Sequence, residues 1–230
     1  MLKETKVKFP KKESDRIKSI QKNILLWGQS NYRGFSWRFN RTPYSVFVSE
    51  ILLKRTTATA VEKIFDEFIE KYPNLESLAK ADKEKMRNLL LRIGYHLLRT
   101  EILVKSSRFI IKEYQGKIPN TRNELLAIPH VGPYTANAIL SLSYEIPVPM
   151  VDSNVQRIIK RVFFVKSERK ILQKKIYRCA EALLPKQKHK EFNFALLDFG
   201  ALICRYVNPK CHLCSINRFC NYYLIQEKSS

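Results

Sequence analysis

Leu126-Ala127-Ile128-Pro129-His130-Val131-Gly132-Pro133-Tyr134-Thr135-Ala136-Asn137 is the stretch on which the fold turns. An apolar segment runs into Pro129, and the residue before a proline is biased out of the helical region. Gly132 then marks a tight turn. Pro133 can open a new helix, because the N–H it lacks is one that a first helical turn leaves unpaired. The reading is a short helix, a turn and a second helix. Such a hairpin presents backbone N–H groups that can hold a phosphate without reading base sequence. An ordinary helix–helix connection gives the same pattern, so the motif alone leaves both readings open.

Helical signals continue on both sides. Thr42-Pro43 ahead of YSVFVSEILL reads as an N-cap followed by proline at the first helical position. Val61, Ile64, Phe65 and Phe68 recur at the spacing of one helix face within 58–72. The segments 75–91, 95–114, 123–127, 133–144, 153–164 and 171–184 also read as helices, punctuated by Pro73, Gly94, Gly116, Pro119, Pro147 and Pro185. No sustained period-two alternation is present. The fold class expected is all-α, with about ten helices.

The chain has 230 residues, with 42 Lys plus Arg against 21 Asp plus Glu, a formal charge of +21. The excess is spread along the chain, a field that attracts polyanions, and double-stranded DNA is the expected partner. An anionic membrane surface competes on charge, but no basic amphipathic helix with aromatic anchors stands out, so no membrane partner is expected. The first residues, MLKETKVKFPKKESDR, lack the apolar core of a secretory signal, and the expected location is intracellular, in the cytoplasm or nucleoid.

Four of the five cysteines are spaced Cys204-x6-Cys211-x2-Cys214-x5-Cys220. Clustered thiolates in an intracellular chain favour a metal site over disulfides. Four of them can hold a tetrahedral zinc or a cubane iron–sulfur cluster. A single close pair suits the cluster better than a zinc ribbon, yet ligand chemistry leaves both open. Cys179 stands alone and reads as a small buried apolar residue.

Two carboxylates draw attention. Glu50 lies in VFVSEILL, apolar on nearly every side, where a carboxylate needs a partner or a cavity and burial would raise its pKa. A structural ion pair is the alternative. Asp152, in Val151-Asp152-Ser153-Asn154-Val155-Gln156-Arg157, sits where a helix begins. Read alone it is an ordinary N-cap. The same position keeps a carboxylate ionised and could stabilise a developing sugar cation.

Hairpin, following aspartate and cysteine loop, in this order, resemble the HhH-GPD superfamily of base-excision DNA glycosylases, the endonuclease III and MutY type. The resemblance runs from about Trp37 to Tyr223. It is nearest to the Mig-type thymine-DNA mismatch glycosylases, through Ser49-Glu50-Ile51-Leu52-Leu53-Lys54-Arg55-Thr56-Thr57-Ala58, Gly132-Pro133-Tyr134-Thr135 and the segment from Phe192 to Cys204. It implies a two-domain helix–hairpin–helix fold: residues 36–145 as a six-helix domain, and 1–35 with 146–230 as a second domain carrying a [4Fe–4S] cluster on Cys204, Cys211, Cys214 and Cys220. It also implies a monomer acting on DNA that holds a mismatched or damaged base.

The resemblance assigns roles residue by residue. Lyase members carry a lysine where this chain has Tyr134, and tyrosine cannot form an imine, so a monofunctional glycosylase is implied. Glu50 and Tyr134 would orient the flipped base and Asp152 would stabilise the sugar cation. Lys54 and Arg55 would fill the vacated stack or meet the orphan guanine, and Tyr95 would wedge beside the lesion. For Tyr134 and Tyr95, core packing is the plainer alternative. His130, Gly132, Arg157 and Arg218 would contact DNA. A monovalent cation would sit on the hairpin carbonyls. The family's hairpin begins with glycine where this chain has His130, which costs something if φ is positive there.

The expected reaction is hydrolysis of the N-glycosidic bond of thymine or uracil opposite guanine, with little or no cleavage at the abasic site. A MutY-type adenine glycosylase is the alternative. It is the weaker one, because Lys54-Arg55-Thr56-Thr57 replaces a glutamine-rich segment and nothing after the cysteines corresponds to the domain that reads oxidised guanine. A non-catalytic iron–sulfur DNA-binding protein is the third.

Overall fold

The computed structural model describes residues 11–163 and 169–227. The first ten residues of the basic N-terminal stretch and Phe164, the expected end of one helix, lie outside the described residues. Twelve α-helices and four short 3-10 turns occur among the described residues, with no strand, and the fold is all-α. None of these helices is long and apolar enough to cross a membrane.

The chain divides into two compact units. One combines the described residues up to Arg33 with those from Pro147 onward; the other is Gly34–Ile146. In chain order, α1 (Lys11–Asn31) belongs to the first. The second holds α2 (Pro43–Leu52), α3 (Ala58–Lys71), α4 (Leu75–Ala79), α5 (Lys83–Leu90), α6 (His96–Tyr114), α7 (Arg122–Ala127) and α8 (Pro133–Ser143). The chain then returns to the first with α9 (Ser153–Phe163), α10 (Arg169–Leu183), α11 (His189–Leu202) and α12 (Asn221–Glu227).

In the Gly34–Ile146 unit, α2 is the buried spine. The Thr42 side chain accepts from Ser45 N–H, Pro43 stands in the first turn, and every residue from Ser45 to Leu52 is buried. It packs on α6 and α8. The stretch 75–91, expected as one helix, is two plus a 3-10 turn. Asn74 and Ser77 form a capping box at α4, and the Asp82 side chain accepts from the N–H groups of Glu84 and Lys85 to start α5. Gly94, at φ +71, and Tyr95, at φ +50, end that 3-10 turn and start α6.

In the other unit, α1 and α9 both pack on α11, over a core that includes Ile20, Ile24, Ile159, Phe192 and Phe199. Helix α11 fastens loops as well as filling the core. Asn193 donates to the Val148 carbonyl (3.0 Å) and accepts from Met150 N–H (3.1 Å). The buried Asp198 accepts from Arg33 Nε at 2.6 Å and from Arg33 N–H at 3.2 Å. Gly200 lets the turn that opens α9 approach closely, since a β-carbon there would lie 2.5 Å from Asn154 Cβ.

Candidate functional site

The hairpin is α7, the turn at residues 128–132, and α8. Thr121 caps α7. Ile128 leaves the helix with extended backbone, and Gly132 caps α8 with no side-chain acceptor ahead of Pro133. The N-cap residue therefore supplies no side-chain acceptor to the first turn, which suits a helix start that meets an external acceptor. Gly132 has φ −95, and a β-carbon there would touch nothing within 4 Å. The left-handed residue of the turn is His130, exposed at φ +65.

One cation reaches this turn directly, and a second holds the segments beside it. Lys54, just past α2, donates from Nζ to the His130 carbonyl at 2.7 Å. Burial lowers its pKa and the nearby Glu50 carboxylate opposes that shift. The buried Arg99 of α6 donates to the Leu52 carbonyl at 3.3 Å and to the carbonyls of Lys54 and Gly94. Arg55, exposed at φ +55, holds its guanidinium 5.6 Å from the centre of the Tyr95 ring, and Arg99 lies 5.8 Å from the same ring. Tyr95 is 51% exposed. The structure thus brings Lys54, Arg55, Tyr95, His130 and Gly132 together, with Tyr134 half-buried in the first turn of α8 and Glu50 buried on α2.

This arrangement changes the expectation for two residues. Core packing does not account for Tyr95, since half of it faces solvent. Lys54, expected at DNA with Arg55, already gives its ammonium to a protein carbonyl in a solvent-exposed hydrogen bond.

Asp152 belongs to the other unit. Its Oδ1 accepts from Val155 N–H at 2.8 Å and its Oδ2 from Asn154 Nδ2 at 2.9 Å, so it caps α9. Burial raises its pKa. The hydrogen bonds from Val155 and Asn154 and the Arg157 guanidinium pull it back down. Arg157, expected at DNA phosphate, is instead spent inside the protein. It donates to Asn154 Oδ1 (2.7 Å), the Gly200 carbonyl (2.8 Å) and the Cys204 carbonyl (2.7 Å). Arg218 is exposed on a 3-10 turn between Cys214 and Cys220.

Cys204, Cys211, Cys214 and Cys220 line one cavity together with Arg161, Tyr222 and Tyr223. No carboxylate or imidazole joins them there. Burial raises the thiol pKa of Cys211 and Cys220 and pushes that of Cys214 up to about 12, and neighbouring cysteines add to each shift. Arg161 donates to Cys204 Sγ at 3.5 Å and to the carbonyls of Arg205 and Tyr206, and stacks on Tyr222 at 5.0 Å. Among the described residues no three His, Cys, Asp or Glu side chains are set to hold a metal ion. Cys179 lies apart and half-buried, its thiol raised to about 11 chiefly by burial.

Four residues that sequence reasoning left without a role organise these sites: Arg99, Asn154, Arg161 and Gly200. For Arg161 a signal existed. It lies one turn beyond Arg157 on α9, so the two share a face, and both reach Cys204.

A family model described as HhH-GPD superfamily base excision DNA repair protein matches residues 48–186. The chain is 38% identical over 201 residues, 87% of its length and 91% of the relative's, to a thymine/uracil-DNA glycosylase of Methanothermobacter thermautotrophicus. It is 36% identical to an adenine DNA glycosylase of Buchnera aphidicola subsp. Schizaphis graminum over 87% of its own length, but spans 58% of that protein. A solved structure described as a thermostable thymine-DNA glycosylase superposes with a TM-score of 0.88 at 36% identity, covering 93% of this chain and 99% of the other.

Proposed function

Since the chain belongs to the HhH-GPD superfamily of base-excision DNA repair proteins, we propose that it is a DNA glycosylase releasing thymine or uracil mispaired with guanine, by hydrolysis and without cutting the strand. The observation that carries the chemistry is Asp152, a half-buried carboxylate fixed by two donors at the start of α9. As the N-glycosidic bond lengthens, positive charge develops on the sugar. A carboxylate denied full hydration attracts that charge more strongly than water would, and its donors hold it in place beforehand. Glu50 and Tyr134 would orient the flipped base and assist its departure. Tyr134 has no amine, so no imine to the sugar can form, and the product is an abasic site in an uncut strand.

Tyr95 and Arg55, already stacked, would enter the duplex beside the extruded nucleotide. The uncapped first turn of α8 and the exposed Arg218 would hold backbone phosphate. The choice of base is supported by likeness to the thymine/uracil enzyme over most of both chains, whereas the adenine relative extends well beyond the match. Cys204, Cys211, Cys214 and Cys220 would hold a [4Fe–4S] cluster, which suits a thiol-only donor set around one cavity with Arg161 to offset the cluster's charge. It would brace the loop and take no part in bond cleavage. A monovalent cation at the hairpin belongs to the same proposal, with the His130 carbonyl already taken by Lys54. The protein would work as a monomer inside the cell.

The test is base release from duplexes carrying T·G, U·G, A·G and A·8-oxoguanine, with and without alkali. Strand breaks at T·G and U·G only after alkali are expected. Breaks confined to adenine mispairs would replace the substrate assignment, and breaks without alkali would remove the monofunctional one.

A further inference from the structure

Lys54 bonds its ammonium to a backbone carbonyl of the hairpin turn, at the protein surface. Its Nζ is 2.7 Å from the His130 carbonyl, and its own carbonyl accepts from the buried Arg99. The residue it holds is one that needs holding. A histidine at φ +65 crowds its β-carbon against the backbone, a conformation that persists where the surroundings enforce it. The preceding carbonyl, of Pro129, is also tied down, by Ser106 Oγ at 2.7 Å. Two residues on, Gly132 opens α8 with clear space in front of it.

We propose that Lys54 is a positioning residue of the hairpin: it grips the carbonyl of the left-handed His130, so that the N–H groups opening α8 face DNA phosphate, and makes no phosphate contact itself. This rests on the reading of the hairpin as a DNA-binding element. Lysine and histidine then act as a pair in place of a glycine at position 130. Lys54 supplies from outside the turn the restraint that glycine's freedom would render unnecessary.

The experiment is anisotropy titration of a fluorescein-labelled undamaged duplex at several KCl concentrations, with wild type, Lys54→Met, Lys54→Arg, His130→Gly and the Lys54→Met/His130→Gly double variant. Lys54→Met should bind about tenfold more weakly at every salt concentration, with the slope of log Kd against log [KCl] unchanged. Lys54→Arg keeps a donor and should bind like wild type. The double variant should regain wild-type affinity, because glycine adopts positive φ without strain. A slope shallower by about 0.9 in Lys54→Met marks a lost phosphate contact and overturns the proposal. Undiminished affinity of Lys54→Met, or no rescue by His130→Gly, overturns it equally. Wild-type protein without salt-dependent duplex binding overturns the hairpin reading and this proposal together, whereas the variant outcomes overturn this proposal alone.

Discussion

Replacing Gly200 by alanine places one methyl group against the turn that holds Asp152. The added β-carbon would lie 2.5 Å from Asn154 Cβ, 3.3 Å from its Cγ and 3.4 Å from its Cα. Carbon atoms in contact rest at about 3.5–4.0 Å, so Asn154 must retreat by roughly 1 Å. The atoms in the way sit at the root of the side chain, and a rotamer change cannot clear them. Asn154 Nδ2 is 2.9 Å from Asp152 Oδ2. A retreat of that size either breaks this bond or drags the carboxylate along. Misplacing a reacting group by about 1 Å costs roughly 100-fold in rate, and overpacking costs about 1–3 kcal/mol in stability. The assay is single-turnover base release from an end-labelled U·G duplex, read after alkali, beside thermal unfolding followed by circular dichroism. Gly200→Ala should release base about 100-fold more slowly while binding undamaged duplex as wild type does. A rate within about threefold of wild type, with a lowered unfolding midpoint, would show the strain absorbed before reaching Asp152, and would refute the coupling.

Asp152→Asn should slow base release at least about 100-fold with duplex affinity retained, and a variant as active as wild type removes Asp152 from the chemistry. Its stability should move the other way. Burial raises the Asp152 pKa, so the folded state holds this proton more tightly than the unfolded state. Wild-type stability therefore falls, relative to the variant, as pH climbs from about 4 through the raised pKa, and a pH-independent offset between melting midpoints would contradict this. Arg99→Met strands the carbonyls of Leu52, Lys54 and Gly94 and should cost about 3 kcal/mol in urea unfolding, whereas a loss below about 1 kcal/mol would mean that water replaces the guanidinium. With the proposed cluster in place, Cys214→Ser should lower the iron content of the purified protein, and unchanged iron content would exclude Cys214 as a ligand.

The helices with an amphipathic stripe were legible from sequence. α3 carries Val61, Ile64, Phe65 and Phe68 inward as the periodicity required. The start of α2 was written in Thr42-Pro43. α11 escaped because Phe192, Phe194, Ala195, Leu196 and Phe199 are all buried, which leaves its most apolar stretch without the one-sided stripe that marks a helix. The break between α4 and α5 was hidden by Asp82, which in a charged stretch looks like one more surface acid until its side chain is seen capping a helix.

At the site, residue types pointed to Glu50, Asp152 and the four cysteines, and the positive φ suspected at His130 is present. Direction was the missing information. Lys54, Arg55, Arg157 and Arg218 are all long cations in sequence, yet Lys54 and Arg157 are bonded to backbone carbonyls of the protein while Arg55 and Arg218 are exposed. That choice depends on which carbonyls are left unpaired nearby, and those belong to segments remote in the chain, as with Arg157 and Cys204.

The fastening of α11 bears on how the protein loses activity. Its Asn193 secures Val148 and Met150, its Asp198 secures Arg33, and its Gly200 receives Asn154. A local opening of this helix releases all these attachments in one event. Amide exchange along α11 should therefore report the fraction of molecules able to catalyse, and warming should deplete that fraction as a population rather than soften each molecule by degrees.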